Sequence, residues 1–124
     1  MWVIGIGNNI FRKRIAEEVL KGKRFISTFS ANSTCHSSSN IGEGTQVMAG
    51  AIIQMGTSIG SHSVINTAAS VDHGCTLGKY SFIGPNATLC GGVTVGECSF
   101  IGAGAVILPY IKIGKNCMIG AGSV

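Results

Sequence analysis

Cut into sixes from Ile41 onward, the chain reads IGEGTQ, VMAGAI, IQMGTS, IGSHSV, INTAAS, VDHGCT, LGKYSF, IGPNAT, LCGGVT, VGECSF, IGAGAV, ILPYIK, IGKNCM, IGAGSV. All 14 hexads begin with Ile, Val or Leu, and eight carry Gly second, at 42, 60, 78, 84, 96, 102, 114 and 120. The fifth residue is Thr, Ala, Ser, Cys or Val everywhere except Ile111. Two looser hexads, FSANST and CHSSSN, extend the phase back to Phe29. A six-residue unit is too short for a helix and return, but it suits a short strand and a tight corner. The branched first residue is expected to pack inward on its copies in neighbouring coils. The small fifth residue is expected to point inward as well, where room is scarce. Glycine at the second position is expected to mark a corner of positive φ. The pattern predicts an all-β solenoid.

The stretch ahead of Phe29 falls outside the repeat. WVIGI predicts a buried strand, and GNN a turn that caps a helix. Phe11, Ile15 and Val19 then recur at i, i+4 and i+8 as an apolar face, with Lys13–Glu17 and Arg14–Glu18 on the wet side. Gly22 ends the helix, and RFIST predicts a second strand feeding the solenoid. This small β-α-β piece, residues 1–28, cannot hold a core alone. It is expected to pack on the end of the solenoid of residues 29–124, or on a partner subunit.

Composition narrows the function. The 45% hydrophobic content sets the chain apart from disordered sequences. No apolar run reaches the roughly 18 residues of a membrane span. No basic region precedes a long apolar stretch at the N-terminus, so no secretory signal is expected. Five cysteines, without CxxC and odd in number, fit a reducing, cytoplasmic setting. The formal charge of +4 favours an anionic ligand, but no basic run is interleaved with aromatics, which argues against nucleic acid. GIGNNI resembles a dinucleotide fingerprint but lacks its third glycine, and Thr28 stands where the acid would be. Two readings stay open there: an asparagine-capped turn, or Gly7, Asn8 and Asn9 presenting polar groups to a sugar or nucleotide.

Three histidines raise the question of chemistry. His36, His62 and His73 are second, fourth and third in their hexads, so they share no column. A zinc enzyme of the hexapeptide-repeat carbonic anhydrase type needs a closely spaced pair and a third two coils earlier, which this spacing does not supply. No metal is expected. His73, near a corner, is expected at the surface. Cys75 and Cys117 fill the small fifth slot as compact apolar residues, whereas Cys90 and Cys98 are expected to be more exposed.

The hexads resemble those of hexapeptide-repeat proteins, whose fold is a left-handed parallel β-helix with three hexads per coil. INTAASVDHGC (65–75), the N-terminal VIGIGNN and GGVTVGECSFIGAGAVI (91–107) are similar to segments of bacterial sugar acetyltransferases. The likeness is to the sialic-acid O-acetyltransferase and UDP-amino-sugar N-acetyltransferase group, and it covers essentially the whole chain. It implies acetyl transfer from acetyl-CoA to a hydroxyl or amino group of a sugar or nucleotide sugar in surface-glycan or glycosylation pathways. His73 matches that group's general base, and Gly91, one coil along, the backbone amide that stabilises the oxyanion. Asp72 joins them as a candidate catalytic residue. Gly91, Gly102, Ala103 and Gly104 fall where pantetheine would lie, with Lys112 and Lys115 candidates for the phosphates of CoA. Gly7, Asn8, Asn9 and Asn66 fall where the sugar substrate would lie. The resemblance implies a homotrimer, whose inter-subunit groove holds the CoA.

The match has gaps. Gly74 stands where the group carries an acid after the histidine, and Phe82 where a second histidine would be. Asp72 is expected to point away from the ring, as neighbouring strand residues do. Relatives have a glycine-rich strand–loop–helix ahead of VIGIGNN and continue beyond AGSV. The expectation is therefore a fragment, a truncated gene or a degenerate relative, with residues 1–28 the remnant of a nucleotide-sugar-binding subdomain. A catalytically weakened trimeric scaffold is the alternative reading.

Overall fold

The computed structural model describes residues 1–124 as a parallel β-solenoid of 16 two-residue strands at six-residue intervals. The first face stacks β1 (Thr28–Phe29), β4 (Gln46–Val47), β7 (Val64–Ile65), β10 (Phe82–Ile83), β13 (Phe100–Ile101) and β16 (Met118–Ile119). The second stacks β2 (Thr34–Cys35), β5 (Ile52–Ile53), β8 (Ser70–Val71), β11 (Thr88–Leu89) and β14 (Val106–Ile107). The third stacks β3 (Asn40–Ile41), β6 (Ser58–Ile59), β9 (Thr76–Leu77), β12 (Thr94–Val95) and β15 (Lys112–Ile113). Every pairing skips two intervening strands, as in Ile83↔Ile65 and Leu89↔Val71, so three hexads make one coil. Corners join the faces: the first holds Asn66–Ala69, the second Asp72–Cys75 and the third Gly78–Ser81, each repeated in neighbouring coils.

The inward slots behave as the pattern predicts. First-position residues from Val47 to Ile107 are all at most 6% exposed, and fifth-position residues from Thr45 to Ala105 are all 0% exposed. Thr45, Thr57 and Ser99 in that fifth column donate their hydroxyls to backbone of the adjoining coil, and Ser81 pairs with the Ser63 hydroxyl. Thr57 Oγ1, for instance, donates to Asp72 O at 2.7 Å and accepts from Cys75 N at 3.2 Å.

The second-position glycines serve a different purpose from the one expected. Positive φ falls on the fourth residue of the hexads, for example Gly56, Gly74 and Gly92, and on seven non-glycine residues including His62, Tyr80 and Tyr110. The second position instead lies against the next coil: a Cβ on Gly60 would stand 2.4 Å from Lys79 N. Close approach of backbone, not a left-handed turn, excludes a side chain there.

The N-terminal piece also departs from expectation. WVIGI is no buried strand: a single parallel bridge pairs Trp2 with Phe25, and only Ile4 of the segment is buried. Asn8 caps α1 (Asn9–Arg14), accepting from Phe11 N at 3.0 Å, and the helix continues as a π turn over Ile15–Val19. Phe11 and Val19 are exposed, and Arg12 and Ala16 face inward in their place. Lys13 pairs with Glu97 and not with Glu17, whereas the Arg14–Glu18 pair forms as expected. The piece packs neither on the solenoid's end nor away from it. It lies along the side, on the third corner.

Arg12 explains that placement. It is 0% exposed and forms no salt bridge. Its Nε donates to His62 O at 2.6 Å, Nη1 to Ile6 O and Gly7 O, and Nη2 to Asn9 Oδ1 at 2.7 Å and Tyr80 O at 3.1 Å. Desolvation pulls its pKa from 12.5 down to about 10, so it stays charged at neutral pH. Carbonyl dipoles from two corner turns and the helix entry are thus gathered around one cation. His62 completes the contact, stacked on Tyr80 at 5.2 Å and met edge-on by Phe25 at 4.5 Å, with Nδ1 buried and unpartnered.

Two outcomes follow. Gly60→Ala should cost about 3 kcal/mol through overlap with backbone, whereas Gly74→Ala, strained but unobstructed, should cost about 1 kcal/mol. Equal losses in denaturant unfolding would contradict the close-approach account. Burial pushes the His62 imidazole below its usual 6.5, with Arg12 and Lys79 also lowering it and Glu43 and Glu17 opposing. The unfolded chain therefore binds that proton first as pH falls, and stability present above about pH 6.5 is lost below it. His62→Phe should flatten the melting temperature between pH 7 and 5 relative to the parent, and an unchanged slope would rule His62 out.

Candidate functional site

The second corner brings His73 and Gly91 together. Their hexads are consecutive in the same column because three hexads make one coil. A Cβ on Gly91 would stand 2.7 Å from His73 Cε1 and 2.8 Å from Nε2, so the imidazole rests on the bare glycine. The His73 side chain is 62% exposed, leaving Nε2 accessible from outside. The Gly91 N–H donates to no group in the chain, while Gly91 O accepts from Tyr110 N at 3.0 Å and Gly92 N donates to His73 O at 3.0 Å. The unpartnered amide and the imidazole thus lie on adjacent coils of one corner, held by backbone on both sides.

Asp72 does not point away from the ring. Its Oδ1 accepts from His73 N at 2.7 Å and lies 3.1 Å from His73 Nδ1. Strand alternation governs residues within strands, and Asp72 follows the last residue of β8, where the chain already turns. The backbone and side-chain bonds from His73 hold the Asp72 carboxyl below its ordinary range, so it is ionised at neutral pH. An ionised acceptor at Nδ1 favours the tautomer with the proton there and the lone pair on Nε2. Asp72 thus bonds the ring directly, whereas Gly74, the next residue after the histidine, offers it no side chain. Beneath the corner, Thr57 ties Asp72 O to Cys75 N, and Cys75 Sγ donates to Cys90 O at 3.2 Å.

The other candidate residues are spread over the prism. Gly102, Ala103 and Gly104 lie on the first corner, two coils beyond Asn66 in the same column, with Gly104 N bonded to Pro85 O at 2.8 Å. Lys112 projects from β15 on the third face and Lys115 from the third corner, both exposed. No single chain gathers these around His73. Gly7, with Asn66, Gln46, Ile6, Val64 and Phe82, lines a cleft of about 140 Å³. Gly7, Asn8 and Asn9 edge a second groove of about 370 Å³ against Cys98, Phe100 and Asn116. The amide of Asn9 is already committed, accepting from Arg12 and donating to Cys98 O and Ser99 O. Asn8 Oδ1 is taken by the helix cap, and Asn66 Oδ1 accepts from Thr67 N at 2.7 Å. Phe82 and Phe100 stack at 4.6 Å between the two hollows. Cys98 is not exposed but buried under the N-terminal piece with Ile4, Ala16 and Tyr80. No three His, Cys, Asp or Glu side chains converge as a metal site.

Sequence reasoning overlooked Tyr110, whose ring covers Gly92 beside this corner, and Arg12. The Gly91–Gly92 doublet was the available signal for the first. Arg12 belongs to the VIGIGNN…R…I resemblance, but nothing marked its burial, because its partners are carbonyl groups.

The family model described as bacterial transferase hexapeptide (six repeats) matches residues 56–91, 74–109 and 92–124. No curated protein sequence matches the chain. Among solved structures, a variant of GDP-perosamine N-acetyltransferase from Caulobacter crescentus, in complex with CoA and GDP-perosamine, is 36% identical, with a TM-score of 0.94 over 97% of this chain. The acetyltransferase domain of PglB from Neisseria gonorrhoeae, in complex with acetyl coenzyme A, is 36% identical, with a TM-score of 0.95 over 98%. WeeI from Acinetobacter baumannii is 27% identical, with a TM-score of 0.92 over 98%. The chain spans 58%, 60% and 61% of those three chains respectively.

Gly91→Ala should force the imidazole from its seat without touching the core. His73 ring proton resonances should shift while the melting temperature stays within about 3 °C, a change of under about 1 kcal/mol for a domain of this size. Unmoved resonances would mean that the ring is not seated on Gly91.

Proposed function

The chain belongs to the bacterial transferase hexapeptide family, and on that footing we propose that it transfers acetyl from acetyl-CoA to a hydroxyl or amino group of a sugar or nucleotide sugar. The observation that carries this reading is the His73 imidazole lying on Gly91 beside an unpartnered amide. Similar structures contain CoA with GDP-perosamine, or acetyl coenzyme A, which supports the donor and the acceptor class.

His73 Nδ1–H donates to Asp72, and Nε2 accepts the proton of the sugar's amine or hydroxyl as that atom attacks the thioester carbonyl. The Gly91 N–H donates to the carbonyl oxygen as negative charge builds on it. When the carbon–sulfur bond breaks, the imidazolium returns the proton to the departing thiolate. The acetyl group ends on the sugar and CoA leaves as the thiol, with no net proton change on the imidazole.

A homotrimer accounts for the dispersal of the remaining residues. Met55, Leu108, Tyr110 and Ile111 are 56%, 53%, 76% and 46% exposed around the second corner, an apolar surface beside His73 that a second copy would cover. In such an assembly pantetheine would run between copies, meeting Gly91 of one and the Gly102–Gly104 corner of another, with Lys112 or Lys115 toward the phosphates. The cleft of Gly7 and Asn66 would receive the sugar, its free polar groups being backbone, the Asn66 amide nitrogen and Gln46 Oε1. Residues 1–28 would then be what this chain carries of a nucleotide-sugar-binding subdomain. No helix is long and apolar enough to cross a membrane. We place the activity in the cytoplasm, where acetyl-CoA is available and the free cysteines persist.

His73→Ala should reduce acetyl-CoA-dependent thiol release, with amino-sugar or sialic-acid acceptors, by at least about 100-fold. Circular dichroism and light scattering should show the fold and assembly unchanged. Undiminished release would overturn the mechanism. A well-folded trimer that binds no acetyl-CoA would favour the scaffold reading instead.

A further inference from the structure

The Gly91–Gly92 step is the one place on the second corner where two consecutive glycines leave the backbone bare. Side chains from the coils on either side lean over it. His73, from the preceding coil, lies on Gly91, and Tyr110, from the following coil, lies on Gly92. A Cβ on Gly92 would stand 2.5 Å from Tyr110 Cδ1 and 2.7 Å from Cε1. The doublet is thus the floor of a slot with an imidazole on one side and a phenol on the other.

Tyr110 occupies that position at a cost. Its φ is 61°, in the left-handed region that bulky residues avoid, where the three preceding coils of this corner use Gly56, Gly74 and Gly92. His62, Tyr80 and Cys98 are left-handed too, but each is buried under the N-terminal piece, and the exposed Ala68, Asn86 and Asn116 carry small or amide side chains. Tyr110 is bulky and 76% exposed, with no cover from its own chain.

We propose that Tyr110 is the wall of the acyl slot opposite His73 and sets the length of acyl chain the site accepts. The proposal rests on the acetyl-transfer reading. With the carbonyl oxygen at the Gly91 N–H, the carbonyl carbon lies over the glycine doublet. The nucleophile approaches the face of the planar thioester turned to His73, where it delivers its proton to Nε2, and Tyr110 stands against the opposite face. A methyl group in the thioester plane clears the ring, and further methylenes, which turn out of that plane, meet it.

The test needs no acceptor sugar. Dissociation constants of acetyl-CoA and butyryl-CoA are measured by calorimetry on the full chain, on Tyr110→Phe and on Tyr110→Ala. The parent should bind butyryl-CoA at least about ten-fold more weakly than acetyl-CoA. Tyr110→Phe should keep that ratio, and Tyr110→Ala should bring it to within about three-fold, by tightening butyryl-CoA. A loss of structure would weaken both ligands together and leave the ratio intact. An unchanged ratio in a Tyr110→Ala chain that keeps the parent's acetyl-CoA affinity, or no discrimination in the parent, overturns the role of Tyr110 while acetyl-CoA binding itself still stands. If the parent binds neither ligand, the acetyl-transfer reading falls and this proposal with it.

Discussion

Each coil of this solenoid can bury its branched side chains only because the coils on either side bury theirs at the same place. A two-residue strand has almost no stability of its own, and no hexad has a hydrophobic interior by itself. The parallel register, one whole coil from strand to strand, joins them. It stacks Val47, Ile65, Ile83 and Ile101 into one column and closes the ladder with backbone bonds such as Ser70 N to Ala87 O at 2.9 Å. The corners obey the same constraint. Backbone passes so close to backbone at the second position that only glycine fits at Gly60, and the turn that follows must enter the left-handed region at the fourth. The outward third position is where side chains are free of both demands, and there His73 and Gly91 sit, with Asp72 at a second position that has no glycine.

The N-terminal piece is held by a different kind of interaction. Arg12 has no carboxylate to meet it, yet it is fully buried, because corner turns leave carbonyls pointing outward that a planar donor can collect. Burying a charge is expensive, and here hydrogen bonds from every guanidinium nitrogen compensate for it. The same side chain fixes Asn9 and through it the lip of the groove beside Phe100. Docking and the shape of that groove are therefore not separable.

How much of this was legible beforehand differs from element to element. The solenoid was readable because one environment recurs in every hexad, so that errors at single positions average out. The seat of His73 on Gly91 was readable for the same reason, once the coil length was known. The inward face of the helix was not: a periodic apolar stripe at Phe11, Ile15 and Val19 promised burial, but partners far away in the sequence, at His62, Tyr80 and Ser81, chose Arg12. Asp72 was misjudged by applying strand geometry one residue past the strand's end, and the second-position glycines by assigning to conformation what belongs to proximity.

The repeated interior has a consequence for how such a chain keeps its chemistry in place. Because every hexad offers the same two inward slots, the core cannot tell one corner of the prism from another. Gain or loss of an entire coil would slide later residues along the axis by a single step of about 4.8 Å and return them to the same edge. Gain or loss of one hexad would satisfy the interior equally well and yet carry everything after it a third of a revolution around. His73 and Gly91 would then be parted without a single core contact having registered the error. Only the outward residues, among them Arg12's carbonyl partners on the third corner, record which edge is which.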